Sequence, residues 1–310
     1  MVWLSVRLAR STLLVPASNW TMIVKAAASE ADAVCIDLED AVAPDAKEAS
    51  RANVTRAFVE LDFGRKTRAY RINALDTPFA YRDIIEVVEA AGARVDVIVV
   101  PKVDRPDDLR FVATLLSQIE ARSRLSRVIG VEALIETAMG AVNAAAIAQA
   151  TPRLEGFIYG SGDYAASMRM PMASIGEADE NDALYPGHRW HHIMHTIVTA
   201  ARAHGLRAID GPFAAFRDAA GLEQACRVGR AMGFDGKWCI HPAQVATANR
   251  VYAPAPADVA HATRVLAAVA DAEAAGCGAL SLDGKMLDAA SVRMARATVD
   301  QARLAGLAVP

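Results

Sequence analysis

Acidic and basic side chains recur at the ends of apolar runs in this chain, and that placement is its strongest chemical signal. Asp37, Glu39 and Asp40 close one run, Arg71 and Asn73 the next, and Lys102 a third. Glu136 and Thr137, Ser161 and Asp163, Asp210, then Lys237 and His241 close four more. In a parallel barrel all such strand ends gather at one mouth, where active sites form. Carboxylates there, with water completing the shell, suit Mg²⁺ rather than zinc. The cationic residues beside them could bind an anionic substrate. For one charge alone, such as Lys102 or Asp210, a rim ion pair explains as much. For the whole set it explains less, because so many acids converge.

The elements that must position these residues are legible as eight apolar runs. They are Ser11–Ala17, Ala33–Asp40, Arg68–Asn73, Asp96–Lys102, Val128–Glu136, Glu155–Asp163, Arg207–Phe213 and Asp235–Pro242. Most are continuous rather than alternating, as parallel strands covered on both faces require. Between them lie helical patterns. Asn19–Ala28 and Ala46–Leu61 have helical period, and Thr77–Ala91 and Pro106–Arg122 carry a proline near the first turn. Gly92 and Gly205 stand where helices should stop. The fold class is therefore α/β, a (β/α)8 TIM barrel with a C-terminal helical extension. The barrel domain is expected over 1–253 and the extension over 254–310, after the break at Pro254 and Pro256. The extension reads as helices Ala257–Gly276 and Ala289–Leu304 around a Gly/Asp turn. A long loop, Met168–Gly187, should cover the barrel mouth.

Composition narrows the class. Apolar residues make up 53% and aromatics 6% of the 310 residues, which suits helices packed on an aliphatic sheet. A formal charge of -3 gives no nucleic-acid surface and no polybasic membrane patch. Cys35, Cys226, Cys239 and Cys277 form no CxxC pair, so they read as reduced thiols. Ser5–Arg10 is basic and acid-free, but the apolar run after it is too short for a signal core and serves better as the first strand. A cytoplasmic protein is expected.

Six ordered segments then carry a resemblance. They are Arg10–Pro16 (RSTLLVP), Ile36–Lys47 (IDLEDAVAPDAK), Tyr70–Asn73 (YRIN), Val100–Val103 (VPKV), Leu134–Ala138 (LIETA) and Tyr159–Ser167 (YGSGDYAAS). On them the chain resembles the citrate lyase β-subunit/HpcH–HpaI aldolase superfamily over nearly its whole length. Arg71–Phe79, Ala208–Phe213, Gly236–Pro242 and Asp283–Asp288 resemble its malyl-CoA/β-methylmalyl-CoA lyase branch more than the citrate lyase subunits.

The resemblance implies a carbon–carbon lyase dependent on Mg²⁺ or Mn²⁺. Its substrate would be a 3-hydroxyacyl-CoA thioester such as malyl-CoA, β-methylmalyl-CoA or citramalyl-CoA, cleaved reversibly to an α-oxo acid and an acyl-CoA. Carried over by residue, Glu136 and Asp163 become the metal ligands. Arg71 becomes the arginine that stabilises the thioester enolate. Asp288 becomes the tail aspartate that reaches a neighbouring subunit's site and moves the carbon proton, which implies a homo-oligomer, a trimer or hexamer. Asp37, Glu39 and Asp40 would orient metal-bound water. Arg10, Lys25 and Pro212 would contact substrate or coenzyme A. One position departs: where many relatives carry an arginine for coenzyme A, this chain has Asn19.

Rival chemistries remain on the page. Lys102 or Lys237 could form a Schiff base with a ketone, giving a metal-independent aldolase. The same metal site could direct water at the thioester, giving a CoA thioesterase. A non-catalytic subunit needing a carrier partner is a third reading, against which Asp288 argues. His188, His191, His192 and His195 crowd one stretch, but no acidic partner follows at a zinc spacing. Gly160 and Gly162 flank Ser161 without a nucleotide-binding spacing, and Ser161 lacks triad partners.

Overall fold

The computed structural model describes residues 7–184, 189–274 and 280–309. The chain divides into two compact units, Met1–Arg250 and Val251–Pro310.

The first unit is a closed barrel of eight parallel strands in sequence order. They are β1 (Ser11–Pro16), β2 (Ala33–Asp37), β3 (Thr67–Arg71), β4 (Val97–Val100), β5 (Gly130–Ile135), β6 (Leu154–Tyr159), β7 (Arg207–Asp210) and β8 (Gly236–Cys239). β8 closes the ring on β1, with Ser11 opposite Lys237 and Leu13 opposite Cys239. The helices between them are α1 (Trp20–Ala27), α2 (Lys47–Glu60), α3 (Ala80–Ala91), α4 (Pro106–Ser123), α5 (Ala138–Ile147), α6 (Ser161–Ser167), α7 (Glu180–Leu184), α8 (His191–Ala203) and α9 (Ala219–Met232), with α10 (Val245–Tyr252) after β8.

Local chemistry sets the helix ends. Thr137 Oγ1 accepts from Gly140 N at 2.9 Å to cap α5, and Asp218 caps α9 through Gly221 N at 2.9 Å. Pro106 opens α4, where its missing N–H costs nothing. α9 stops at Gly233, whose φ of +99° suits only glycine well.

The strands are shorter than the apolar runs. Each ladder ends at or before its polar residues, and the chain then turns into the next helix. One consequence is chemical: Asp163 lies not on a strand end but in the first turn of α6, where a carboxylate complements the helix dipole. The described part of the Met168–Gly187 loop packs on the mouth. Ala214 N donates to Ile175 O at 2.9 Å, and Arg189 ties Asp179 and Asp182 together at 3.1 Å each. Tyr185–Gly187 and His188 lie outside the described residues, as does Cys277.

An apolar cluster of Cys35, Ala69, Val97, Val99, Leu134, Ile158, Ile209 and Trp238 fills the middle of the bore. Below it, at the N-terminal end, Asp96 is clamped by Arg68 Nε at 2.9 Å and Arg127 Nη1 at 2.5 Å. Burial alone would raise its carboxyl, but the two arginines hold it at about 2. The folded value is depressed, so the clamp stabilises the fold above the ordinary value of 3.8 and loses that effect as pH falls towards 2. Discounted for solvent screening, it contributes about 1–2 kcal/mol at neutral pH. Urea melts should show Asp96→Asn destabilised by at least that amount at pH 7, with the gap from wild type narrowing by pH 3.

The second unit is a helical pair with a hairpin. α11 (Pro256–Ala274) packs on α12 (Ala289–Leu304) through Ala262, Val265, Ala295 and Val299. Between them β9 (Leu280–Leu282) and β10 (Lys285–Leu287) pair antiparallel. Their two-residue turn is Asp283–Gly284, both left-handed at φ +52° and +76°, as a tight hairpin of this hand demands. No helix among the described residues is long and apolar enough to cross a membrane.

Candidate active site

Side-chain alternation selects what enters the bore. Cys35, Ala69 and Leu134 point inward, so Asp37, Arg71 and Glu136, two residues on, point inward at the mouth. Register places Asp37 beside Arg71 on paired strands. Arg71 Nε reaches Asp37 Oδ1 at 2.7 Å and Nη2 reaches Oδ2 at 2.6 Å, a bidentate fork. The same carboxylate accepts from Glu39 N at 2.9 Å and Ala41 N at 3.0 Å. Its acceptor positions are thereby filled.

Glu39 sits between two cations. Oε2 lies 2.7 Å from Arg71 Nη1, and Oε1 bonds Lys102 Nζ. Asp40, half exposed, lies 3.5 Å from Arg71 and 3.6 Å from Lys102. The sequence reading gives Asp37, Glu39 and Asp40 the task of orienting metal-bound water. The structure gives them another: they hold Arg71 and Lys102 in place. Burial opposes the charge on both cations, but the acids prevail and raise each above its ordinary value. Arg71 still keeps one N–H, on Nη2, beyond those directed at Asp37, Glu39 and Asp40, and its guanidinium lies 5.5 Å from the Trp238 ring.

Glu136 is 2% exposed, and among the described residues no cation forms an ion pair with it, although Arg71 is near enough to favour its charge. One oxygen accepts from Lys102 N at 2.9 Å. Lys102 adopts a left-handed φ of +49° to present that N–H, a conformation uncommon for a side-chain-bearing residue. Burial, then the nearby charge of Asp163, push the Glu136 carboxyl well above the carboxylate range. Two neighbouring acids, one buried, therefore repel, and Arg71 only partly offsets this. A divalent cation would relieve this, and a pair of hard oxygen donors with water and substrate is how Mg²⁺ is usually held. The residues present fit that group. Among the described residues no three of His, Cys, Asp and Glu form a denser cluster.

Clearance for Glu136 comes from Gly160. A Cβ there would stand 2.4 Å from Glu136 Oε2 and 2.5 Å from its Cβ. Gly160→Ala must displace the carboxylate, and a displacement near 1 Å costs roughly 100-fold in rate. Steady-state assays on the folded variant should find that loss; wild-type turnover would show that Glu136 tolerates the shift.

Other sequence candidates fall elsewhere. Arg10 precedes β1, so it lies at the end of the barrel opposite the mouth, forked onto Asp32 at 2.8 Å by both Nε and Nη2. It is removed from the substrate contacts. Lys25 is exposed on the last turn of α1, the end that leads away from the mouth. Asn19 caps α1, its Oδ1 accepting from Met22 N at 3.1 Å. Pro212 stands just past β7. Asp288 is in the second unit, exposed, and caps α12 through Ser291 N at 2.7 Å. Lys237 neighbours Trp238 and points out of the bore, buried and bonded to Asp210 Oδ2 at 2.6 Å. His191 and His195 stack on the exposed side of α8 with ring centres 4.3 Å apart.

Two further residues position the site. Lys47 Nζ binds Leu38 O at 3.1 Å, Glu39 O at 2.9 Å and Asn73 Oδ1 at 2.6 Å, pinning the acidic loop. Asp83, fully buried, accepts from Arg51 at 2.7 Å and from Asn73 N at 2.9 Å. For Asp83 the sequence hint is a charged residue at a buried helical position; Lys47 closes the Ile36–Lys47 motif, which does not reveal what it holds.

Comparison with known proteins agrees with this geometry. The family model described as HpcH/HpaI aldolase/citrate lyase matches residues 10–242. An L-malyl-CoA/beta-methylmalyl-CoA lyase from Cereibacter sphaeroides is 42% identical over 301 residues, covering 95% of each chain. A (3S)-malyl-CoA thioesterase from the same organism is 38% identical over 295 residues, covering 94% of each. Among solved structures, protein CitE from Mycobacterium tuberculosis, in complex with magnesium, acetoacetate and coenzyme A, has a TM-score of 0.72 and 30% identity, covering 95% of this chain and 98% of its own. The matched span takes in the whole barrel, and the chain belongs to the HpcH/HpaI aldolase/citrate lyase family.

Proposed function

We propose that this chain is a Mg²⁺-dependent carbon–carbon lyase that reversibly cleaves a 3-hydroxyacyl-CoA of the malyl-CoA type to an α-oxo acid and an acyl-CoA. The observation that carries the reading is Glu136, a buried carboxylate with no ion pair among the described residues, set beside the charge of Asp163 and within reach of that of Arg71. The 42% identical lyase, alike along 95% of both chains, supports the same chemistry.

Glu136 and Asp163 would hold the ion, which supplies Lewis acidity that lowers the pKa of the substrate β-hydroxyl. Arg71, fixed by Asp37 and Glu39, offers its remaining N–H on Nη2 to the thioester oxygen and stabilises the enolate charge that develops there. Its rigid fork means that little reorganisation is needed at that moment. Asp288 of a neighbouring subunit would give the enolate carbon its proton, or remove it in the synthetic direction. This arrangement makes the enzyme a homo-oligomer, a trimer or hexamer, and its substrates those of cytoplasmic acyl-CoA metabolism.

A Schiff-base route has little support. The Lys102 ammonium is ion-paired with Glu39 and raised above its ordinary value, so it is a poor nucleophile. Lys237 does not face the bore. The thioesterase relative keeps one alternative in view, because water directed at the thioester needs the same mouth.

The experiment is a panel of malyl-, methylmalyl- and citramalyl-CoA with Mg²⁺, with the oxo acid and free coenzyme A measured separately. Oxo acid and acyl-CoA in equal amounts are expected, with activity lost in EDTA and restored by Mg²⁺. Free coenzyme A with intact hydroxy acid would establish the hydrolase instead. Activity that persists in EDTA and is trapped by borohydride would establish the imine route.

A further inference from the structure

Outside the bore, β6, β7 and β8 with α8 and α9 enclose a cavity of about 500 Å³. Alternation defines its floor. Ile158, Ile209 and Trp238 point into the bore, so Tyr159, Asp210 and Lys237 point the other way and line the cavity. Trp190, Met194, Phe213 and Val228 supply apolar walls.

Its polar groups are few and specific. Lys237 Nζ lies 2.6 Å from Asp210 Oδ2, and both residues are buried, so the pair cancels its own charge. Two hydroxyls, Tyr159 OH and Ser161 Oγ, are buried without a hydrogen-bond partner. Their residues are 3% and 5% exposed and both line the cavity. The carboxylates on the lining are also engaged. Asp182 pairs with Arg189 at 3.1 Å, Asp218 caps α9, and Glu177 accepts from Ser174 Oγ. Among the described residues no uncompensated cation is therefore offered to an anion, and a buried charge of either sign would be costly. Buried hydroxyls, by contrast, favour a partner that completes their hydrogen bonds.

We propose that this cavity is a second small-molecule site, outside the bore, for an uncharged ligand with an apolar body and a hydroxyl or amide head. The head bonds Tyr159 OH and Ser161 Oγ, and the body lies against Trp190, Phe213 and Val228. The volume suits a ligand of one or two rings. The site is independent of the lyase reading, because its residues and its test involve neither metal nor turnover.

The test uses the purified full chain, with benzyl alcohol and benzoate as probes, read by saturation-transfer NMR and calorimetry. Benzyl alcohol should bind saturably in the millimolar range, and benzoate at least about tenfold more weakly. Tyr159→Phe, which removes one atom and leaves packing intact, should weaken benzyl alcohol about fivefold. Ala225→Leu, which fills space from α9, should abolish binding. If that variant does not fold, Tyr159→Phe alone decides. The proposal is overturned by absence of saturable binding up to about 10 mM, by equal affinity for the two probes, or by affinity unchanged in Tyr159→Phe. Any of these would mean that the hydroxyls bond only solvent.

Discussion

Glu136→Gln should reduce turnover by about three orders of magnitude while leaving the metal-free chain at least as stable as wild type. The two effects have one cause. The Glu136 carboxylate is buried, faces the charge of Asp163, and has a single hydrogen bond from Lys102 N at 2.9 Å. Gln has the same shape and its amide oxygen can keep that bond. Losing the charge removes both the burial penalty and the repulsion, so the melting temperature should hold or rise. It also removes one of two hard oxygen donors from the ion, so Mg²⁺ affinity should collapse along with the rate. Calorimetric titration with Mg²⁺ and thermal melts without it measure the two arms separately. Asp163→Asn should behave alike in affinity. Undiminished Mg²⁺ binding in both variants would remove the pair as ligands. A sharp fall in stability of Glu136→Gln would mean that the carboxylate is structural and not held at a cost for function.

How far sequence reached can be judged residue by residue. The barrel was legible because its strands are short, β-branched and buried on both faces, as in Val97–Val100, and because Pro106, Gly205 and Asp283–Gly284 mark boundaries by their backbone limits. Strand ends were not legible. A ladder stops where its neighbour stops pairing, which is a property of the closed ring and not of one segment. That is why Asp163 moved from a strand to the first turn of α6. The acids of the mouth were legible by type and position, but their division of labour was not. Asp37 and Glu39 are used up by Arg71 and Lys102, contacts that span 34 and 63 positions of chain. Arg10 and Lys237 are different, since the place of each in the barrel was legible. A residue before a parallel strand sits at the end away from the mouth, and a residue beside an inward Trp238 faces outward. Lys47 stood in the Ile36–Lys47 motif, but its role in holding the acidic loop was not legible, because its bonds go to backbone carbonyls and to Asn73.

Asp288 offers the sharpest test of whether the site is completed between subunits. Asp288→Asn should lower turnover by about three orders of magnitude, since the proton at the substrate carbon loses its donor or acceptor. The fold should be spared, because Asn caps a helix as well as Asp and can still accept from Ser291 N, which bonds Asp288 at 2.7 Å. Those bonds hold the Asp288 carboxyl below its ordinary range, so at neutral pH it rests as the base that would take the carbon proton in the synthetic direction. A structural role and a shared catalytic role then separate by mixing. Asp288→Asn and Glu136→Gln chains, each inactive alone, are co-expressed in equal amounts and purified as mixed oligomers. If each site takes Glu136 from one subunit and Asp288 from the next, about a quarter of sites receive both native residues, and about a quarter of wild-type activity returns. If one chain supplies both residues to its own site, no mixture recovers activity, however the subunits assemble. Mg²⁺ affinity should be normal in Asp288→Asn throughout, which distinguishes loss of the proton-transfer group from loss of the metal.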